Sequence, residues 1–253
     1  MAWRNKISTG SYDFNKWLYG GYEKDIITMI AGPPASGKTN FSILVACSQA
    51  KKGNKVLYID TEGGFSSERV KQIVGKENMD KILENIILAE PTSFLEQKKL
   101  FETLLEKIKE DEVSLIVVDG MAMLYRLELG DATKSKEDKD NKVREVNREV
   151  AKQMRTLAEI TRKRKIPVII TNQVYFDFLT KEELTKQSES QGAVERPTNI
   201  VGGDLFKYWS KCIIELKKQG SKRKAVLLKH RSLQEKEMSF EIKDLGLFKK
   251  RWF

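Results

Sequence analysis

The chain has 253 residues, 40% of them hydrophobic, with 46 Lys and Arg against 36 Asp and Glu, a net charge of +10. That length and apolar content suffice to bury the core of one large domain. No apolar run reaches the roughly 20 residues of a membrane span, the opening Met1-Ala2-Trp3-Arg4-Asn5-Lys6 lacks a signal peptide's apolar stretch, and one His with two Cys leaves too little for a zinc site.

Residues 1–22 read as a lead-in. Asp25 to Ala31 is an apolar run expected as a buried strand, and Gly32-Pro33-Pro34-Ala35-Ser36-Gly37-Lys38-Thr39 follows it. These eight residues spell G-x-x-x-x-G-K-T, the phosphate-binding P-loop, and Lys38 to Ala50 should form the helix that leads out of it. Gly32 and Gly37 permit a backbone that turns successive N–H groups inward, at the positive end of that helix. Lys38 should reach the β- and γ-phosphates, and the Thr39 hydroxyl should hold Mg²⁺. Strand before and helix after make a chance match in a turn a poor account. The motif implies a site for a nucleoside triphosphate, ATP, with Mg²⁺ as cofactor.

Lys55 to Asp60 is the next strand, Ser66 to Val74 a short helix, Ile86 to Ala89 a strand, and Ser93 to Glu110 one amphipathic helix. Leu115-Ile116-Val117-Val118-Asp119 has the Walker B pattern, a buried strand that delivers Asp119 to the metal. The charged stretch Asp131 to Asn141 reads as a mobile loop. Val143, Val146, Val150, Met154, Leu157 and Ile160 recur at steps of three and four, which predicts a long helix. Ile166 to Gln173 is a strand, Tyr175 to Asn199 a long polar connection, and Lys211–Leu216, Lys224–His230 and Met238–Ile242 are strands with hairpins. The fold class is α/β: a twisted, mostly parallel sheet with helices on both faces and a C-terminal antiparallel extension. One domain, 1–253, divides into the lead-in, a nucleotide-binding core over 23–200 and C-terminal strands over 201–253.

Two further strand ends carry chemistry. In Asp60-Thr61-Glu62 a carboxylate can orient and deprotonate the water that attacks the γ-phosphate, or it can cap the helix that starts near Ser67. Asn172-Gln173 can hydrogen-bond the γ-phosphate or its water, or be an ordinary polar strand end.

Positive charge concentrates in two places. Lys142 to Lys165 holds nine Lys or Arg against three Glu, and Lys207 to Lys236 ten against two. The first reads as a DNA-facing or merely solvated helix face, with Lys142 at its start. The second includes the hairpin cations Lys217, Lys218, Lys222, Arg223 and Lys224, which can track a phosphate backbone or serve solubility. Tyr175, Phe176 and Phe178 can stack on bases or fold down as an apolar plug. Cys47 and Cys212, each inside an apolar run, read as buried small hydrophobes and point to a reducing cytoplasm.

Tyr58-Ile59-Asp60-Thr61-Glu62-Gly63-Gly64-Phe65-Ser66-Ser67-Glu68-Arg69-Val70 resembles the segment after the second strand of the RecA/RadA recombinases. Ile7 to Gly10, Gly20-Gly21, Leu124-Tyr125-Arg126 and Ile170 to Val174 fit that family in order, so the resemblance covers nearly the whole chain. Within the family the chain is most similar to the short archaeal RadB branch, an ATPase core alone. The resemblance implies a RecA-like P-loop ATPase core with Glu62 as hydrolytic carboxylate, Gln173 as γ-phosphate sensor and Arg69 against the adenine. It also implies single-stranded DNA held by the loops after Walker B and after Gln173, roughly Tyr125–Lys142 and Tyr175–Asn199, with Arg126 in the first. Lys229 and Arg231 are similar to cations that RecA- and KaiC-like ATPases insert into a neighbouring subunit's nucleotide; backbone tracking is the competing role. The helical domain and polymerisation motif of full recombinases are expected to be missing, and Ser66-Ser67 replaces their Arg-Pro. The implied role is an accessory of homologous recombination and repair that binds ATP and single-stranded or branched DNA. Weak hydrolysis, a RadA-type recombinase or a second copy as partner, and no membrane complete it. The rival is a KaiC-like regulatory ATPase that signals to proteins without DNA; a small-molecule kinase is a third class, disfavoured by Glu62 and Gln173, which point to water as the acceptor.

Overall fold

Apolar runs that alternate with amphipathic helices build a sheet covered on both faces, and the computed structural model describes it over residues 5–134, 138–176 and 198–250. The strands are β1 (Lys6–Ile7), β2 (Tyr22–Glu23), β3 (Ile27–Gly32), β4 (Lys55–Asp60), β5 (Ile86–Ala89), β6 (Val113–Asp119), β7 (Val168–Phe176), β8 (Thr198–Ile200), β9 (Ser210–Gln219), β10 (Lys222–His230), β11 (Lys236–Lys243) and β12 (Gly246–Lys249). The helices are α1 (Tyr12–Trp17), α2 (Lys38–Ala50), α3 (Ser67–Val74), α4 (Lys76–Leu83), α5 (Phe94–Glu102), α6 (Leu104–Glu110), α7 (Met123–Lys134), α8 (Lys139–Arg164) and α9 (Gly203–Trp209).

The main sheet runs β12-β11-β10-β9-β3-β7-β6-β4-β5, with β8 added on β7. From β5 to β9 neighbouring strands are parallel; β9 to β12 form antiparallel hairpins. Register decides the chemistry. Gly32 lies opposite Gln173, and Asp60 opposite Asp119, so four strand ends meet at one edge. Ligand sites of open α/β sheets form at this carboxyl edge.

One face of the sheet packs α1 to α4 with residues of β10 to β12, the other α5 to α9. On the first face Phe14 of α1 stacks edge-on against Phe41, centroids 4.7 Å apart, and against Phe240 at 5.6 Å. The Ser11 hydroxyl, which caps α1, donates to the Leu247 carbonyl at 2.6 Å. The lead-in is thereby fastened to the last strand. On the second face α8 buries Val146, Val150, Met154, Leu157 and Ile160 of the predicted stripe and leaves Val143 half-buried, while Gln153 pairs with Gln97 at 2.7 Å.

Three expectations change. The helix expected over Ser93–Glu110 breaks at Thr103, whose ψ of 2° stops it and lets Leu104 begin α6. The stretch expected as a mobile loop, Asp131–Asn141, is helical over Asp131–Lys134 and again from Lys139. Its charges do not oppose a helix: Lys134 pairs with Asp131 one turn away, and Ala132 is buried. The DNA loop expected over Tyr125–Lys142 is likewise mostly α7 and the first turn of α8, with 135–137 outside the described residues. The Tyr175–Asn199 connection leaves β7 and returns as β8 on the same strand, Tyr175 opposite Asn199. Phe178 lies outside the described residues.

Candidate nucleotide and nucleic-acid site

Gly37, with φ of 110°, caps α2 in left-handed backbone, and Ala35 at φ 57° shares that region, a sequence of turns that makes a concave nest of N–H groups. A Cβ on Gly32 would stand 2.6 Å from Ser36 Oγ and 2.8 Å from the Leu216 carbonyl, so the loop closes against β9 only with glycine there. Lys38 is buried, and its ammonium donates to the Gly32 and Pro33 carbonyls at 3.0 and 3.1 Å. Burial pushes its pKa down, while Glu62 and Asp119 hold it up. Pro33, Pro34, Ala35, Ser36 and Thr39 complete the loop as the motif requires.

Asp119 is buried more deeply still. Its carboxylate accepts from Tyr58 Oη at 2.8 Å and from Thr171 Oγ1 at 2.6 Å, and the nearby Thr39 hydroxyl also favours its charged form. Burial raises its pKa, and those donors oppose the rise. Asp60 is not a helix cap; Ser66 caps α3. Its two oxygens accept from the backbone N–H of Glu62 at 3.1 Å and of Phe65 at 2.7 Å, which folds the 61–65 turn. Thr61 Oγ1 ties that turn to the Gly120 carbonyl at 2.8 Å. Glu62 is thereby held where Gln173 Nε2 donates to its Oε1 at 3.1 Å. Arg126 of α7 lines the same small recess as Glu62 and Gln173. An ammonium, a hydroxyl and a carboxylate converging on a nest of amides suit Mg²⁺ and a polyphosphate: hard oxygen ligands for the cation, donors for the anion.

Other residues read from the sequence stand differently. Arg69 donates to the Lys243 and Asp244 carbonyls at 2.8 and 3.0 Å, which pins α3 to the β11–β12 turn. Lys229 and Arg231 do not act as one free pair. Lys229 Nζ donates to the Lys207 carbonyl at 2.7 Å. Arg231 makes a bidentate pair with Asp25 at 2.7 and 2.8 Å and lies 2.6 Å from Glu23. The shift of register at Leu227/Lys229 interrupts the regular β10–β9 pairing just before them. In the β9–β10 hairpin Lys217 lies opposite Lys224 and Lys218 opposite Arg223, at the P-loop edge. Lys224 is paired with Glu237 of β11 at 3.0 Å, so the repulsion of like charges across this ladder is partly offset within the chain. Tyr175 is exposed on β7 and Lys142 on the first turn of α8. Sequence reasoning missed Tyr58, Thr171 and the Asp60 brace; only the Asp60-Thr61-Glu62 run hinted at the last.

Arg231→Ala tests the own-chain pairing. Arg231 holds the Asp25 carboxyl below its ordinary range. A lowered carboxyl pKa contributes stability above the unfolded value near about 3.9, lost as pH falls through the lower folded value. The variant should therefore melt lower than the parent at neutral pH, with the gap closing at strongly acid pH. A gap independent of pH in the melting curves would contradict the pairing.

The Rad51 family model matches residues 4–250. The chain is 41% identical to the DNA repair and recombination protein RadB of Methanobrevibacter smithii over 248 residues, 96% of this chain and 95% of that protein. It is 40% identical to RadB of Methanocaldococcus jannaschii over 230 residues, covering 91% and 96%, and 35% identical to RadB of Methanosphaera stadtmanae over 245, covering 95% and 94%. The chain belongs to the Rad51 family, in its RadB branch.

Proposed function

We propose that this protein binds ATP with Mg²⁺ at the P-loop edge, binds DNA, and acts in homologous recombination and repair as a RadB-type accessory with slow hydrolysis. The observation that carries the reading is the Gln173–Glu62 contact at 3.1 Å, beside Lys38 and Asp119 on one sheet edge. Glu62 takes a proton from the attacking water as the water oxygen bonds to the γ-phosphorus and the bond from that phosphorus to the β–γ bridging oxygen breaks, which releases ADP and phosphate; the Gln173 amide orients the water and the Glu62 carboxylate. Lys38 stabilises charge that builds on the transferred phosphoryl group. Thr39 and Asp119 would hold Mg²⁺, which supplies further charge neutralisation when bound.

β7 carries Gln173 straight on to Tyr175, so one strand links the phosphate end to the start of the expected DNA segment. The hairpin cations Lys217, Lys218, Lys222, Arg223 and Lys224 supply a second contact with the backbone. Arg126 and Lys142 extend it, and Lys229 and Arg231 reach a neighbour's nucleotide only if their own-chain bonds are released. A RadA-type recombinase or a second copy are the protein partners that fit. Cys47 and Cys212 are buried free thiols, in keeping with a reducing cytoplasm. Among the described residues no helix is long and apolar enough to cross a membrane.

Titration of labelled single-stranded DNA across salt tests the reading. Affinity should fall steeply, with a log–log slope of about −0.7 for each phosphate contact. A protein that binds ATP but no DNA at low salt would favour the KaiC-like alternative.

A further inference from the structure

The opposite edge of the sheet holds a second site. Where the strands begin, a cleft of about 480 Å³ opens between the ends of α6 and α8. Lys24, Lys109, Arg164 and Lys165 line it, against one carboxylate, Glu112. None of these four cations has an ion pair or side-chain hydrogen bond among the described residues, whereas Lys163, beside them in sequence, is paired with Glu159 at 2.6 Å. Ile108, Val113 and Pro167 give the cleft an apolar floor.

Helix ends explain part of this charge. The carbonyl ends of α6 and α8 favour a cation in the last turn, an effect of about 0.3–1 kcal/mol each. Two helix ends do not require four free cations that repel one another around one recess. Glu112 and Lys165, moreover, are non-glycine residues held at φ of 51° and 58°, and both line the cleft. Left-handed residues ordinarily close a helix, and here they turn the chain out of α6 and α8 at the cleft.

We propose that this cleft grips the phosphate backbone of a nucleic acid, on the side of the sheet away from the nucleotide. The inference rests on the DNA-binding reading above and adds to it a contact path separate from the P-loop edge. A six-residue strand such as β3 separates the two edges by about 20 Å, so DNA seated here leaves the P-loop free.

The test replaces the exposed residues Lys109, Arg164 and Lys165 together by Gln, with an unchanged melting temperature as the folding control. A labelled 30-mer of thymidylate is titrated across salt. With three phosphate contacts gone, the salt slope should become shallower by about two units, while the melting shift given by ATP and Mg²⁺ stays the same. A variant with parental slope and affinity overturns the proposal and leaves the DNA-binding reading standing; a parent that binds no DNA overturns both. Two other outcomes also overturn it. If DNA binding is untouched but inorganic tripolyphosphate no longer protects the variant against heat, the cleft takes small anions. If only polyglutamate binding is lost, it takes an acidic protein segment.

Discussion

Lys38→Ala is expected to abolish ATP hydrolysis and to weaken ATP binding about 10- to 150-fold, the equivalent of one charge-assisted hydrogen bond of about 1.5–3 kcal/mol. Lys38 is buried at the mouth of α2, and Glu62 and Asp119 both favour its charged form. Its ammonium is satisfied by the Gly32 and Pro33 carbonyls, acceptors that a bound phosphate would replace with charged oxygens. Alanine leaves the N–H nest in place and removes the point charge, so residual affinity measures the nest alone. Calorimetric titration with ATP and Mg²⁺ gives the affinity, and phosphate release gives the rate. Lys38→Met keeps the side-chain volume and should behave the same way. Parental turnover in either variant would put the phosphate site elsewhere.

Glu62→Gln should lower hydrolysis by about 10²- to 10⁴-fold at unchanged ATP affinity, the range for removal of a general base. The geometry separates base from scaffold. Asp60 braces the backbone of residues 62 and 65, so the turn does not depend on the Glu62 carboxylate. The amide oxygen of Gln at this position can still accept from Gln173 Nε2, so the loop keeps its contact with β7. What disappears is the capacity to take a proton. If parental turnover is slow, intact ATP recovered from folded protein after a fixed interval is the more sensitive readout. Equal recovery from parent and variant would mean that another group handles the water.

The chemistry at the carboxyl edge was legible because it lies in contiguous motifs. The P-loop, Asp119 and Gln173 each end an apolar run, and an apolar run is the clearest mark of a buried parallel strand. Glu62 and Arg69 needed a family resemblance as well; Arg69, which the resemblance sets against the adenine, is held by the carbonyls of the turn after β11. Contacts between distant segments leave no periodic trace. Arg231 with Asp25 and Ser11 with Leu247 each depend on where the chain returns. Charge misled in the other direction. Asp131 to Lys134 reads as loop by composition, yet pairing across one turn and a buried Ala132 make it helix. The cationic cleft joins residue 24 to residues 109 and 164–165, which only the closed sheet brings together.

The central claim is that one sheet edge binds ATP and passes that event along β7 to DNA. Binding of single-stranded DNA with and without ATP and Mg²⁺, at fixed salt, tests it most directly. On the proposed reading a phosphate contact at Gln173 would bias the strand that continues to Tyr175, and coupling between sites is commonly about 1–3 kcal/mol, a 5- to 150-fold change in affinity. By linkage DNA should change ATP affinity by the same factor. The account predicts a reciprocal shift of that size, lost in Gln173→Ala although each ligand still binds alone. DNA affinity indifferent to ATP and Mg²⁺, in a protein that binds both, would contradict it.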